Sequence, residues 1–451
     1  MTFAASRPAF AAPGPQPAFE RRRAWQQHKV AMLQMITGKA DWLPVLIFAS
    51  IFMTPEARLD LGGFQLYPYR LALIVALPFM AVRVGRVPVR LRLADLLVVA
   101  SGIWMLIATT MHYPLDVALK SGGAATLDSL AAYFVGRIYF RNALDFRKFL
   151  YRVSPLLLGV AVIMVMESVS HQYILRPFVG TITGHSSAAF LDRIWEIRNG
   201  LLRATGPFVH PIAAGLFFAS LAPLYVASDL PRWRWFGLFA CIGGIFGWSS
   251  AGIAAIIIGI GLGFYDHLQK KWRIGWAPVI AAVLIGCFLV QMLAEGGLLK
   301  FIIRYASLNP QTGYYRLAIW EYGSADVARH PWFGIGYFAS FNRPSWMVSD
   351  SVDNYWLLLG LRFGWPSSLL MLAAVSLTVV ALGGSRQGFE HGALHGHRMA
   401  TGLCVSLVVV YISLLSSAPW GADMAWLTML VGIANGMVDR ALPHLDPPNP
   451  V

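Results

Sequence analysis

The stretch that decides the fold runs from residue 249 to residue 294. It reads SSAGIAAIIIGIGLGFYD (249–266), HLQKKWRI (267–274) and GWAPVIAAVLIGCFLVQMLA (275–294). Each of the two outer parts has nearly the length of a membrane-spanning helix, which needs about 20 mostly apolar residues. The part between them is basic, and Lys and Arg concentrate in the cytoplasmic connections of membrane proteins. This stretch therefore predicts two spanning helices joined on the cytoplasmic side.

The rest of the chain follows the same pattern. Of its 451 residues, 57% are hydrophobic and 13% are charged, whereas about 25% are charged in soluble domains. The mean hydropathy of +0.58 indicates that most of the surface faces lipid. We predict an all-α fold, a polytopic membrane helix bundle of about twelve transmembrane helices. The predicted spans lie near 41–54, 66–83, 93–110, 124–140, 153–170, 208–228, 233–248, 249–266, 275–294, 363–383, 399–416 and 419–438.

The basic residues predict the orientation of these spans. With the N-terminus in the cytoplasm, the inside segments hold 23 of the 36 Lys and Arg residues, and every inside connection is basic. The net charge of +14 is explained in this way, so nucleic acid is not expected as a partner. The predicted regions are a disordered basic cytoplasmic tail at 1–40, helices 1–9 at 41–294, a large outside loop at 295–352, helices 10–12 at 353–438 and a cytoplasmic tail at 439–451.

Two outside segments are long, and both break the charge rule. They cover about 171–207 and about 295–352. Long connections without strong structure of their own are often functional. The bias selects against Lys and Arg outside, so their number suggests an anionic ligand, which Arg grips with two hydrogen bonds. When these residues are considered individually, a salt bridge to a nearby carboxylate is the alternative explanation for most of them. The residues are Arg176, Arg193, Arg198, Arg203, Lys300, Arg304, Arg316, Arg329 and Arg343.

Two stretches in this part of the chain stand out. RATGPFVHP (203–211) places an Arg, a Gly-Pro turn and a His-Pro where the chain re-enters the membrane. Such a stretch predicts a bend at a helix start, because proline has no backbone N–H. Further on, Arg316 and Trp320 share one face at helical spacing, and HPWFGIG (330–336) predicts a tight turn after that helix.

These motifs resemble a known family. The order Arg-x3-Trp, a helix, then Pro-x2-Gly-x-Gly is similar to the signature of the O-antigen ligase and O-antigen polymerase superfamily. RATGPFVHP is similar to a stretch of its exopolysaccharide polymerase members, and DNYWLL (353–358) before GWP (364–366) resembles the family's His-Asn-x-x-Leu segment and following glycine. The resemblance covers roughly residues 200–370. It implies a multi-pass protein of the bacterial inner membrane, with cytoplasmic termini and periplasmic outside loops.

One position departs from the family pattern. The ligases have a His at the start of the last motif, proposed to activate the acceptor hydroxyl, and this chain has Asp353 there. The departure weakens a ligase assignment and favours the polymerase type. Asp353 could itself take a proton, or it could cap the helix that begins near Asn354, which is a common role for Asp.

The resemblance also implies a reaction. The family's donor is a glycan on undecaprenyl diphosphate, and an acceptor sugar hydroxyl displaces the diphosphate with inversion of the anomeric centre. Fixed cations aimed at the leaving group lower such a barrier, and Arg203 and Arg316 are the first candidates. No cofactor and no metal are expected, since arginine can supply the charge. The three cysteines lie in apolar runs without a CxxC pair, so a zinc site is not expected either.

The remaining candidates are bases and sugar contacts. A base would help to deprotonate the acceptor hydroxyl, and aromatic rings could stack on sugars, although the interfacial aromatic belt explains many of them. The predicted catalytic residues are Arg203, Arg316, Asp353 and His330. The predicted substrate-binding residues are Arg304, Arg343, His210, Trp320, Tyr315 and Asn354.

Three hypotheses follow. The leading one is a glycosyltransferase that joins lipid-linked repeat units in exopolysaccharide or O-antigen synthesis, with membrane lipid, a flippase and a chain-length regulator as partners. The alternative within the enzyme class is a ligase that moves glycan to lipid A core or another acceptor. A membrane transporter or lipid flippase is the alternative of another class. It would be expected to hold ionisable residues deep in several spans, and here Asp128 is the clearest, while Asp423 lies near an outer end.

Overall fold

A computed structural model describes residues 34, 36–38, 41–86, 89–185, 196–230, 233–272, 274–305, 310–384, 396–418 and 421–441. The chain divides into two units, Met1–Lys39 and Ala40–Val451. Most of the tail predicted at 1–40, most of the tail predicted at 439–451, and Arg193 lie outside the described residues.

The second unit is built from helices, as the sequence predicts, and 76% of the structure is helical. Two short antiparallel hairpins interrupt them, β1 (Leu59–Leu61) with β2 (Phe64–Leu66) and β3 (Ile197–Arg198) with β4 (Leu201–Leu202). The helices are α1 (Trp42–Ile51), α2 (Pro68–Arg86), α3 (Leu93–His112), α4 (Leu115–Ala118), α5 (Ala124–Tyr139), α6 (Ala143–Ser170), α7 (Leu175–Thr183), α8 (Pro211–Ala227), α9 (Trp233–Gly243), α10 (Ser250–Trp272), α11 (Ala277–Leu293), α12 (Gly297–Tyr305), α13 (Pro310–Arg329), α14 (Tyr355–Phe363), α15 (Trp365–Gly384), α16 (Gly396–Ser413) and α17 (Ala422–Ala441).

Among the described residues, six helices are long and apolar enough to cross a membrane. A further candidate is the pair of α11 and α12, which bends by 100° at its break, and α1 and α8 are shorter apolar helices. Each of the twelve predicted spans contains a helix. The all-α membrane bundle is thereby confirmed, whereas the count of twelve spans and the side on which each loop lies stay predictions.

The helix ends differ from the predicted ones in places. Helix α6 begins at Ala143 rather than near 153, because the Asn142 side chain caps it by accepting a hydrogen bond from the Asp145 N–H at 2.8 Å. Helix α9 ends at Gly243, and a 3-10 turn leads to Trp248 in a left-handed conformation. Both long outside segments contain helices of their own, α7 in the first and α12 and α13 in the second.

Helices α5 and α17 approach each other backbone to backbone. A methyl group at Gly432 would overlap the carbonyl oxygen of Tyr133, and one at Gly436 would overlap that of Phe140. Gly136, on the facing helix, lies just as close to the backbone of α17. Small residues four positions apart permit such an approach between membrane helices.

Gly432→Ala should therefore destabilise the bundle by about 1–3 kcal/mol, because an added methyl group forces the two backbones apart. Thermal unfolding in detergent measures the effect. Gly261→Ala is the matched control, since Gly261 is also helical and has no atom within 4 Å of the added methyl group. Equal melting temperatures of the two variants would contradict the close packing.

A buried ionic network joins α3, α5 and α17. Arg137, whose side chain is 1% exposed, places Nε 3.0 Å from Asp95 Oδ1 and Nη1 2.5 Å from Asp439 Oδ2. Arg92 adds a bond of 2.8 Å from its Nε to Asp439 Oδ1. Buried charges are tolerated when they are paired in this way. Residues predicted on the inside thus meet one another, which an alternating topology requires.

Candidate active site

A cavity of about 160 Å³ lies where the two long outside segments meet the bundle. Four of its residues come from the first segment or the start of α8, and three come from the second segment or the turn before α14. We call it the arginine cavity. It is lined by Arg198, Arg203, His210, Ile212, Ser249, Ser250, Thr312, Arg316 and Asp353.

Arg203 is held at the end of the β3–β4 hairpin. Its backbone N–H donates to the Glu196 carbonyl at 2.8 Å, and its guanidinium contacts the Glu196 carboxylate at 3.2 Å and the Gly247 carbonyl at 3.4 Å. The residue is 6% exposed. Burial lowers the pKa of the Arg203 guanidinium, and the charges of Arg198 and Arg316 lower it further. Arginine stays protonated even so, which leaves a desolvated positive charge facing the cavity.

Arg316 reaches the same cavity from helix α13. It is 8% exposed, and its Nε lies 3.7 Å from Asp353 Oδ2. Burial lowers the pKa of the Arg316 guanidinium, and Asp353 opposes that effect. Helix α13 contains both Arg316 and Trp320. Only Arg316 lines the arginine cavity, and Trp320 packs against the apolar cluster that includes Ile319.

The charges around the cavity do not balance. Three guanidinium groups meet there, against the carboxylates of Asp353 in the lining and Glu196 beside Arg203. Both carboxylates are partly exposed, at 36% and 26% of their side chains, whereas two of the arginines are almost fully buried. Desolvated guanidinium groups interact with an anion far more strongly than exposed ones do. The cavity is suited to a multiply charged anion such as a diphosphate.

His210 lines the cavity as the N-cap of helix α8. Its Nδ1 accepts a hydrogen bond from the Ile212 N–H at 3.1 Å. An imidazole nitrogen that accepts has no proton, so the neutral ring holds its proton on Nε2. His210 in this geometry is therefore a hydrogen-bond donor toward the cavity rather than a base, which fits its predicted role in substrate binding.

His210→Asn is expected to lower the reaction rate about tenfold, because asparagine retains the cap and a donor but places the donor differently. The pH dependence of the rate between pH 6 and 8 should stay unchanged. A general base would instead contribute about 10²–10⁴-fold and a titration of its own. Initial rates across that pH range separate the two roles, and loss of a titration step in the variant would contradict the donor assignment.

Asp353 is the acidic residue among those that line the arginine cavity. Its Oδ1 lies 3.4 Å from the Ser351 hydroxyl, and its Oδ2 faces Arg316. The capping role considered for Asp353 is wrong, because Asn354 caps helix α14 by accepting from the Leu357 N–H at 3.0 Å. Asn354 also donates to the Leu415 carbonyl at 2.7 Å. Both polar atoms of the Asn354 side chain therefore form hydrogen bonds within the protein. We do not include Asn354 among the substrate-binding residues.

Sequence analysis missed one residue that shapes this site, Glu167 near the end of helix α6. Its carboxylate is fully buried and accepts four backbone hydrogen bonds. Oε1 takes those of Ile174 and Leu175 at 3.0 and 3.3 Å, and Oε2 takes those of Thr205 and Gly206 at 3.1 and 2.8 Å. Glu167 thus fixes the backbone that runs from Arg203 to the start of helix α8. A carboxylate near the end of an apolar span is the signal that could have identified it.

Arg176 supports the same backbone from the other side. Its guanidinium binds the buried Glu56 carboxylate at 2.6 Å and donates to the Val209 carbonyl at 3.0 Å. Of the arginines that suggested an anionic ligand, Arg176 is therefore structural. Arg329 is structural as well, because its exposed guanidinium pairs with the buried Asp326 carboxylate at 2.6 Å.

Four other predicted residues do not line the arginine cavity. Arg304 is exposed on helix α12. Arg343 lines a separate open surface cavity and donates to the Met347 carbonyl at 2.9 Å. His330 is exposed just after helix α13, and Tyr315 donates its hydroxyl to the Ser349 carbonyl at 2.9 Å. Together with Trp320, they are placed outside the site because the second long segment folds into helices that point them elsewhere.

The fold and the cavity define a helical membrane protein with a desolvated, arginine-rich site. Residues 235–372 match the family model described as O-antigen ligase. This match is consistent with the O-antigen ligase and polymerase superfamily and confirms the resemblance predicted from the sequence. It includes Arg316 and Asp353, whereas Arg203 and His210 precede it. Comparison with the curated proteins finds no match.

Proposed function

We propose that the chain is a polysaccharide polymerase, an inverting glycosyltransferase that joins repeat units linked to undecaprenyl diphosphate. One observation supports this above all: Arg203 and Arg316, more than 100 residues apart in the sequence, line one cavity with Asp353. The match to the O-antigen ligase family model indicates glycan transfer from a polyprenyl carrier. The substitution of Asp353 for the ligases' His favours polymerisation over ligation.

In the proposed reaction, an acceptor sugar hydroxyl attacks the anomeric carbon of the donor. The new glycosidic C–O bond forms as the bond from that carbon to the diphosphate oxygen breaks on the opposite face, which inverts the centre. Negative charge grows on the leaving diphosphate, and the buried guanidinium groups of Arg203 and Arg316 stabilise it. The hydroxyl proton passes to Asp353, and His210 donates a hydrogen bond to the substrate.

The Lys and Arg bias supports a site at the periplasmic face of a bacterial inner membrane, with both termini in the cytoplasm. Repeat units must reach that face from their place of synthesis, so a flippase of the same pathway would supply the substrate. A chain-length regulator would act on the same growing polymer. Site-directed labelling of an introduced cysteine at residue 350 tests the orientation, since we expect it to react with an impermeant reagent in whole cells.

The activity is tested with purified protein in lipid nanodiscs and lipid-linked repeat units. A polymerase extends them into a ladder of products, and Arg316→Ala should slow the growth of the ladder by about 10²–10³-fold while the protein is produced normally. The match to a family model described as O-antigen ligase favours an alternative, which is a ligase. A ligase would leave lipid-linked repeats unextended and would transfer preformed glycan to lipid A core or another acceptor.

A deletion strain separates the three hypotheses in cells. Loss of long polymer with retention of single repeats supports the polymerase. Full-length polymer left on its carrier supports the ligase. Repeats trapped on the cytoplasmic leaflet support a flippase and would overturn the proposed function.

A further inference from the structure

Two neighbouring cavities lie beside the arginine cavity, and the proposed chemistry does not use them. The larger, about 280 Å³, is lined by residues that include Tyr67, Tyr69, Asp423 and Val209. The smaller, about 140 Å³, includes Asp128, Arg362 and Tyr355 in its lining. Arg70 and Tyr337 belong to both. We call the two together the tyrosine cavity.

Asp423 is the unexplained group in this cavity. It lies in the first turn of helix α17, is 4% exposed, and its Oδ1 has no hydrogen-bond partner in the part of the chain that the structure describes. A buried carboxylate oxygen without a donor is costly. A ligand that brings a hydroxyl donor into the cavity would remove that cost.

The other acidic group, Asp128, is already satisfied. Arg70 binds it with two hydrogen bonds, at 2.8 and 2.7 Å, and the Tyr69 hydroxyl donates to it at 2.8 Å. This pairing also explains an ionisable residue that the sequence placed deep in a span. With Arg70 neutralised by Asp128, the cavity has no excess of positive charge like that of the arginine cavity. A free anion is therefore a poor fit.

The walls suit a polyhydroxylated ring. The rings of Tyr67 and Tyr69 stack at 6.0 Å between centroids, and the Tyr337 ring has the Arg362 guanidinium over one face at 4.4 Å. Tyrosine presents an apolar face together with a polar hydroxyl. Flat aromatic faces beside a carboxylate and guanidinium groups match the alternating apolar and hydroxyl-bearing sides of a sugar. Ligand sites commonly combine an apolar wall with a few placed polar groups in this manner.

The tyrosine cavity and the arginine cavity border on the same two segments of backbone. Val209 lines the first and His210, the next residue, lines the second. Similarly, Tyr355 lines the first and Asp353 lines the second. A glycan that extends from one cavity into the other therefore crosses only these two segments.

We propose that the tyrosine cavity is a carbohydrate subsite, which holds a sugar residue of the glycan while another sugar of that glycan occupies the arginine cavity. The inference rests on the proposed function for the identity of the glycan. The Asp423 carboxylate accepts a sugar hydroxyl, and the tyrosine rings contact the apolar face of the same sugar.

Binding of carrier-free glycan tests the subsite without any reaction. The probe is an oligosaccharide of two repeat units, released from the cell's own surface polysaccharide and titrated into purified protein in nanodiscs by saturation-transfer NMR. Asp423→Ala and Tyr337→Ala should each weaken its binding at least about tenfold. Asp116→Ala is the matched control, since Asp116 is an exposed carboxylate on helix α4, and should bind like the wild type.

The outcomes separate this inference from the proposed function. Unchanged binding in a folded Asp423→Ala or Tyr337→Ala protein overturns the subsite. A wild-type protein that extends lipid-linked repeats but binds no free oligosaccharide also overturns it, with the function intact. If the wild type extends nothing yet its binding depends on Asp423, the subsite stands and the polymerase proposal fails. Melting curves confirm folding, and Tyr337→Ala answers the question if Asp423→Ala does not fold.

Discussion

Arg203→Ala and Arg316→Ala should each slow chain growth by about 10²–10³-fold, the loss expected when one fixed electrostatic group is removed from a developing charge. The double variant should lose less than the product of the two. Both guanidinium groups face one cavity of about 160 Å³, so removal of either also lets the diphosphate shift away from the other. Groups that act as a unit behave in this non-additive way.

Initial rates of chain growth on lipid-linked repeat units measure the effect, with the concentration of the donor varied so that binding and rate are separated. Arg329→Ala is the matched control, because Arg329 lies on the same helix as Arg316, but its side chain is 60% exposed and pairs with Asp326. Neither residue of that pair lines the arginine cavity. If the control variant is as slow as Arg316→Ala, the loss of rate comes from a disturbance of helix α13 and not from removal of the Arg316 guanidinium.

The sequence predicted the elements that are encoded by long apolar runs. Apolar runs of about 20 residues indicate helices by themselves, and each predicted span contains one. Helix α7, the β3–β4 hairpin and the bend between α11 and α12 were not predicted. They are short, and their positions depend on tertiary contacts such as the bond from the Ala204 N–H to the Phe246 carbonyl. No local periodicity encodes a contact of that kind.

The same distinction between local sequence patterns and tertiary contacts applies to the candidate site. Excess arginine in the predicted outside segments made Arg203 and Arg316 the first candidates, because charge on the side that the Lys and Arg bias disfavours needs a reason. The fold brings both residues to one cavity. The same argument could not tell them from Arg176, Arg304 and Arg343, since only the fold decides which guanidinium is buried and where it points. Capping residues were ambiguous by one position: the cap considered for Asp353 is formed by Asn354.

Glu167 gives the second large expected effect. In Glu167→Gln, the amide nitrogen cannot accept a hydrogen bond, so one of the two pairs of backbone N–H groups loses its partner. Each orphaned buried donor costs about 1–3 kcal/mol, and a shift of about 1 Å in catalytic geometry costs about 10²-fold in rate. We therefore expect chain growth to fall by about 10²-fold, although Glu167 touches no substrate. Glu167→Leu leaves all four donors without a partner and should lower the melting temperature much further.

Ser168→Ala is the control that makes this test specific. Ser168 is the next residue in the same helix and is also fully buried, but its hydroxyl has no hydrogen-bond partner among the described residues. Its removal should leave both rate and stability nearly unchanged. Inorganic pyrophosphate provides a readout beyond stability, since binding to the arginine cavity raises the melting temperature by mass action. If Glu167 positions the Arg203 backbone, pyrophosphate should stabilise the wild type and Ser168→Ala but have little effect on Glu167→Gln. An equal rise in all three proteins would mean that the carboxylate only stabilises the loop and does not place the guanidinium groups on which the proposed reaction depends.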